Sequence, residues 1–160
     1  MPDAPNYETI AHLVDQHLSA GNQVCFWVSS QSMSPALQVG DGIIAESVSP
    51  QLLRLGDAIL IQREGDYLTH RLIHKTGKKL LTKGDNNLSP DPPVSAEAVI
   101  GRVITIQRSS QMIDLQTRKW RIINSLMAIL SKLEWKAFTI HRYLRIPFRL
   151  AIKFVQKIIF

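Results

Sequence analysis

The chain has 160 residues, 45% of them apolar, and a net charge of +6, which bounds it to one domain with a packed core and room for an appendage. One cysteine, Cys25, excludes an internal disulfide, and the five histidines fall in no H-E-x-x-H or cysteine-pair spacing that would argue for zinc. The charge is lopsided: residues 1–117 hold 9 Lys or Arg against 12 Asp or Glu, whereas residues 118–160 hold 10 basic residues and a single acid, Glu134.

Met1 to Asn6 reads as a loose end, without the basic and then apolar order of a secretory leader. Tyr7 to Ala20 reads as a helix: Ile10, Leu13, Val14 and Leu18 recur at helical spacing and Gly21 stops it. The apolar run Val24 to Val28 predicts a buried strand, and Cys25 inside it a buried structural thiol. Ser29 to Gly40 is then a turn, closed by Pro35, Gly40 and Asp41. Ser32 lies just past the strand end, where a hydroxyl is held rigidly and still faces a groove floored by Met33 and Leu37. Further strands are predicted at Gly42 to Ala45 and Ala58 to Gln62, with Gly56-Asp57 as the turn between them.

Gly65-Asp66 signals a hairpin, and its return strand, Tyr67 to His74, carries His70. His74 falls on the same side by the period of two and reads as a surface residue. Thr76-Gly77-Lys78 is a turn and Leu80 to Thr82 a strand. Gly84 to Pro93 is a loop whose prolines forbid a central strand, and Val99 to Gln107 is the last strand. Short strands at near-regular turns predict a mainly β fold: a coiled, largely antiparallel domain over residues 22–117, behind an N-terminal helix in residues 1–21.

From Arg118 the pattern turns helical, with Ile122, Leu126, Ile129, Leu130 and Leu133 on one stripe. After Pro147, Arg149, Lys153 and Lys157 share one face, and Phe148, Ala151, Ile152, Val155, Ile158 and Ile159 cover the other. Ile146 to Phe160 would span about 22 Å as a helix, less than a bilayer core. Residues 118–160 thus read as a basic amphipathic tail, either a helical cap with a solvated basic face or a segment suited to an anionic membrane surface through residues 120–160. Nucleic acid is disfavoured, because no recognition helix or aromatic-stacking motif accompanies the charge.

Serine, histidine and aspartate occur in an order that suits hydrolysis. A serine hydroxyl needs a base, and the base needs an orienting group. Ser32 is the candidate nucleophile, His70 the base, and Asp91 or Asp85 the carboxylate that fixes its tautomer. The Ser32 amide and the Ser30 hydroxyl are candidate donors to an oxyanion. Asp85 beside Asn86-Asn87 also fits a plain Asx-turn.

Five blocks carry a resemblance. They are S-x-S-M-x-P-x-L-x-x-G-D (Ser30 to Asp41), L-x-x-G-D-A-I (Leu53 to Ile59), H-R-L-I (His70 to Ile73), T-K-G-D-N-N (Thr82 to Asn87) with Asp91-Pro92-Pro93, and V-I-G-R-V (Val99 to Val103). In this order and spacing the chain resembles the type I signal peptidase superfamily over residues 22 to 107, in its endoplasmic-reticulum and archaeal Ser-His-Asp branch. The resemblance implies a serine endopeptidase, independent of metal or cofactor, that cleaves a leader or signal peptide from a precursor protein. It favours Asp91 as the triad acid and Asp85 as a supporting carboxylate. It implies small residues before the scissile bond and an extended substrate. Gln31 stands where close relatives carry glycine. Without an anchor or export signal, the expected location is the cytoplasm, peripheral on the membrane, with integral association if the tail inserts as a hairpin. The rival expectation is a non-catalytic membrane-surface module on a retained fold.

Overall fold

The computed structural model describes Val14 and residues 16–18, 20–63, 66–140 and 145–159. Strand β7 (Val99–Arg108) is the axis of the sheet, and its run of valine, isoleucine and threonine favours extended backbone. Before it come β1 (Val24–Trp27), β2 (Gly42–Glu46), β3 (Ala58–Arg63), β4 (Asp66–Thr76), β5 (Lys79–Lys83) and β6 (Val94–Ser95), and after it β8 (Gln111–Asp114). All pair antiparallel in the order β1-β2-β7-β3-β4-β5-β6, with β8 also on β7. One edge of β7 changes partner along its length, pairing β3 through residues 99–102 and β8 through residues 105–108. The protein is therefore mainly antiparallel β, followed by helices α1 (Arg118–Ile140) and α2 (Arg145–Ile159).

One turn is used twice to launch the strands that flank β7. In Leu37-Gln38-Val39-Gly40-Asp41 and Leu53-Arg54-Leu55-Gly56-Asp57, glycine takes φ of 89° and 99°, a region that disfavours a Cβ. Each aspartate then accepts from the amide three residues back, Asp41 from Gln38 at 2.7 Å and Asp57 from Arg54 at 2.8 Å. Each also faces an arginine of β7: Arg108 Nη2 lies 2.7 Å from Asp41, and Arg102 Nη1 3.6 Å from Asp57. The leucines Leu37 and Leu53 are buried in the cores on either side.

Several expectations need amendment. Cys25 is exposed, not buried. β1 is an edge strand with alternating burial, so Val24 and Phe26 turn inward while Cys25 and Trp27 turn outward, Trp27 to 70% exposure. The strand after Val99 is not the last, because Ser109, at φ 54°, turns the chain into β8. β8 is short and mostly exposed and so carries no strong pattern. Val14 and residues 16–18 are helical and Gly21 follows at φ 79°, whereas the expected helix start at Tyr7 and the hairpin glycine Gly65 lie outside the described residues.

α1 packs on the sheet through buried polar contacts, and α2 packs on α1. α1 crosses so close to Gly56 that a Cβ there would lie 2.4 Å from the Asn124 carbonyl. Lys83, fully buried on β5, donates to Ser131 Oγ at 3.0 Å and Glu134 Oε2 at 3.1 Å on α1. Arg149 of α2 stands 3.7 Å from the other Glu134 oxygen. The one acid of the basic segment is thus a core residue. No helix among the described residues is long and apolar enough to cross a membrane.

Removing one partner of a buried ion pair strands the other charge. Glu134→Ala is expected to lower stability by about 3–5 kcal/mol, and Lys83→Met combined with Glu134→Leu to recover most of it. Urea denaturation compares the two; equal midpoints for wild type and Glu134→Ala would show that the pair does not support the fold.

Candidate active site

His70 sits in the middle of β4, opposite Ile59 of β3, and is almost wholly buried. The loop after β5 brings Asp91 back beside it, because the Asp91 amide donates to the Thr82 carbonyl at 2.8 Å. Asp91 Oδ2 then lies 2.7 Å from His70 Nδ1 and accepts from Thr82 Oγ1 at 2.7 Å. Burial works against the charged form of Asp91. The hydrogen bonds from His70 and Thr82, with the charges of His70 and Arg63, outweigh it and hold the carboxyl below its ordinary range. A neutral histidine that donates from Nδ1 carries its lone pair on Nε2. His70 Nε2 is buried and has no hydrogen-bond partner among the described residues.

Asp85 is placed differently. It receives Arg71 Nε at 2.7 Å and Nη2 at 2.6 Å, a buried bidentate pair. Arg71 Nη1 donates onward to the Gly56 carbonyl at 2.8 Å and Asn124 Oδ1 at 2.9 Å. The two candidate aspartates thus face different partners, Asp91 the histidine and Asp85 the arginine.

Ser32 belongs to the turn between β1 and β2. Val28 and Gly40 close its base: the Val28 amide donates to Asp41 and the Gly40 amide to Val28, both at 2.9 Å. Met33 and Leu37 anchor it in the core, and its Ser34–Pro35 peptide is cis. The loop after β5 meets this turn from below. The Asn86 amide donates to the Ser32 carbonyl at 2.8 Å and Asn86 Nδ2 to the Gln31 carbonyl at 3.3 Å. Gly84 permits that approach, since a Cβ there would lie 2.7 Å from the Ser32 carbonyl. The hydroxyls of Ser30 and Ser32 are 3.2 Å apart. The Ser32 hydroxyl is therefore paired with Ser30, not with His70.

A cavity of about 210 Å³ opens beside the two serines, with Met33, Leu37 and Ile43 below and Phe26, Tyr67 and Thr69 at its sides. It lies between edge strand β1 and the start of β4. Phe26 and Tyr67, both of its lining, meet at a tilt with centroids 5.6 Å apart.

His74 departs from the expected surface role. A bulge between Leu72 and His74 breaks the period of two. His74 is half-buried against α1, its Nδ1 3.0 Å from Lys132 Nζ and its Nε2 3.0 Å from Thr76 Oγ1. Thr82, Arg71 and Asn124 join the site beyond the residues expected from sequence. Thr82 and Arg71 stand inside the quoted motifs, so their position was a usable signal. Asn124 carries none, since its partner lies 53 residues away.

Two outcomes follow from this geometry. Asp41 is also held below its ordinary value of 3.8: burial opposes its charge, but the hydrogen bonds from Arg108 and the Gln38 amide, with the Arg108 charge, prevail. Carboxyls lowered on folding contribute stability above their unfolded value, and that contribution is lost as pH falls through the lower folded value. Thermal melts are expected to drop below pH ~4, less steeply in Asp41→Asn; identical acid slopes would remove Asp41 as a cause. Gly84→Ala is expected to push the Ser32 turn off its seat, seen as faster amide exchange at Asn86. Unchanged exchange would mean that the contact yields without consequence.

No protein-family model matches the chain, and no curated protein matches its sequence.

Proposed function

We propose that the chain is a serine endopeptidase of the signal-peptidase type, which removes a leader or signal peptide from a precursor protein. One observation carries the reading. His70 is fastened at Nδ1 by Asp91 at 2.7 Å, and its buried Nε2 has no hydrogen-bond partner among the described residues. A histidine fastened on one nitrogen and open on the other is what a serine nucleophile requires of its base. The sequence motifs supply the family, and the antiparallel sheet is compatible with it.

In this reading a peptide lies extended along edge strand β1 and sets a small side chain into the cavity. Ser32 Oγ bonds to the scissile carbonyl carbon while its proton passes to His70 Nε2. The negative oxygen accepts hydrogen bonds from the Ser32 amide and the Ser30 hydroxyl. The intermediate collapses, the C–N bond breaks, and His70 returns the proton to the leaving amine. Water then repeats the sequence in place of Ser32 and frees the acid. For attack, Ser32 must exchange its Ser30 hydrogen bond for one to His70, a tightening that substrate binding commonly brings. Asp85 has a positioning part, through Arg71.

The pairing of Ser32 with Ser30 also favours the second reading, a retained fold without catalysis. A fluorophosphonate probe separates the two. Labelling of wild type that is lost in Ser32→Ala and in His70→Ala supports the peptidase. Absence of both labelling and leader-peptide cleavage in the folded wild type supports the inactive fold. With a cleavable leader in hand, Asp91→Asn is expected to lower kcat about 10⁴-fold and Ser30→Ala about 10²–10³-fold. A larger loss in a folded Asp85→Asn than in Asp91→Asn would reverse the roles of the two acids.

A further inference from the structure

Helices α1 and α2 each turn an apolar stripe to solvent. On α1, Ile122, Leu126, Ile129 and Leu133 recur every three or four residues and are 62%, 42%, 52% and 41% exposed. On α2, Ile146, Leu150 and Phe154 recur every four residues and are 50%, 62% and 66% exposed. These stripes are not the core faces. α1 turns Met127, Ser131 and Glu134 inward, and α2 turns Ile152 inward. Single exposed leucines are ordinary on protein surfaces; two helical stripes on adjoining helices mark a surface that something covers.

Charge says what covers it. Arg118 stands one turn before Ile122 and Lys136 just under one turn after Leu133, so basic residues continue the α1 stripe at both ends. Lys153 is exposed beside Leu150 and Phe154. The only acid between residues 118 and 160, Glu134, is buried against Lys83 and Arg149. The outer surface of this segment therefore presents bulky apolar side chains and cations with no carboxylate among them. Long basic side chains reach past an apolar surface to anionic headgroups while the apolar residues enter the acyl boundary.

We propose that this face docks the protein on an anionic lipid bilayer, with α1 and α2 in the interface and not across it. Each basic residue near such a surface strengthens partitioning about fivefold at low salt, and the apolar stripes add a salt-resistant part. The inference does not rest on the peptidase reading, and Ser32→Ala is expected to bind lipid as wild type does.

Vesicle flotation of the full-length chain tests it, on phosphatidylcholine with and without phosphatidylglycerol. Expected is flotation on the anionic vesicles only, weakened by salt. It should fall about fivefold for each of Arg118→Gln, Lys136→Gln and Lys153→Gln, and be abolished by Leu126→Glu with Ile129→Glu or by Leu150→Glu with Phe154→Glu. All these positions lie outside the core, and circular dichroism melts check that each variant is folded. Equal flotation on both vesicles, none on either, or indifference to the substitutions in folded protein overturns the proposal. So does a dimeric mass in solution that the apolar substitutions reduce to a monomer, which would assign the face to a second copy.

Discussion

The guanidinium of Arg71 is the constraint on which the rest of the molecule depends. A cation taken out of water must be neutralised and must satisfy its N–H groups, or it costs several kcal/mol. Arg71 meets both demands with four hydrogen bonds: two to Asp85, one to the Gly56 carbonyl and one to Asn124. Those partners come from the loop after β5, the turn before β3 and helix α1. A single buried side chain therefore sets the distance between three segments that are remote in sequence. The Gly84–Asn86 turn that Asp85 belongs to is also the one that supports the Ser32 carbonyl.

Strand alternation turns this structural lock into a means of placing the candidate site. Adjacent residues on a strand face opposite sides. His70 and Thr82 point to Asp91, while their neighbours Arg71 and Lys83 point to α1. Arg71 and Lys83 are also direct cross-strand partners, an arrangement of like charges that would be unfavourable alone. Each has its own carboxylate, Asp85 and Glu134. The helix side of the β4–β5 pair is fixed by these contacts, so the imidazole on the other side has little freedom to drift from Asp91. Two aspartates six positions apart thus serve different faces, Asp91 one and Asp85 the other.

Much of this was legible in advance because it is local. The strands follow from short apolar runs between Gly, Pro and Asp turns. The placement of Ser32 after the first strand and of His70 within a hairpin return follows from the same pattern. Where the reading departed from the structure, the cause was non-local. The apolar run predicts a buried strand and so a buried Cys25, and only the sheet order shows that β1 is an edge. His74 reads as a surface residue by the period of two, a pattern in which a bulge cannot be seen. The basic segment looked separable because its charge is so unlike that of residues 1–117. Its attachment rests on Asn124, Ser131 and Glu134, three polar residues whose partners lie about fifty positions away. Nothing in their immediate sequence distinguishes them from solvated helix residues.

The outward turn of Cys25 has a practical side. It is the one thiol in the chain, it is open to solvent, and it lies on the edge strand whose next residues, Phe26 and Trp27, line the cavity. A maleimide dye or nitroxide attached to the native protein would therefore sit at a single defined place beside the groove, with no other cysteine to remove. The molecule carries its own attachment point for a spectroscopic reporter, able to follow in real time any binding at that edge.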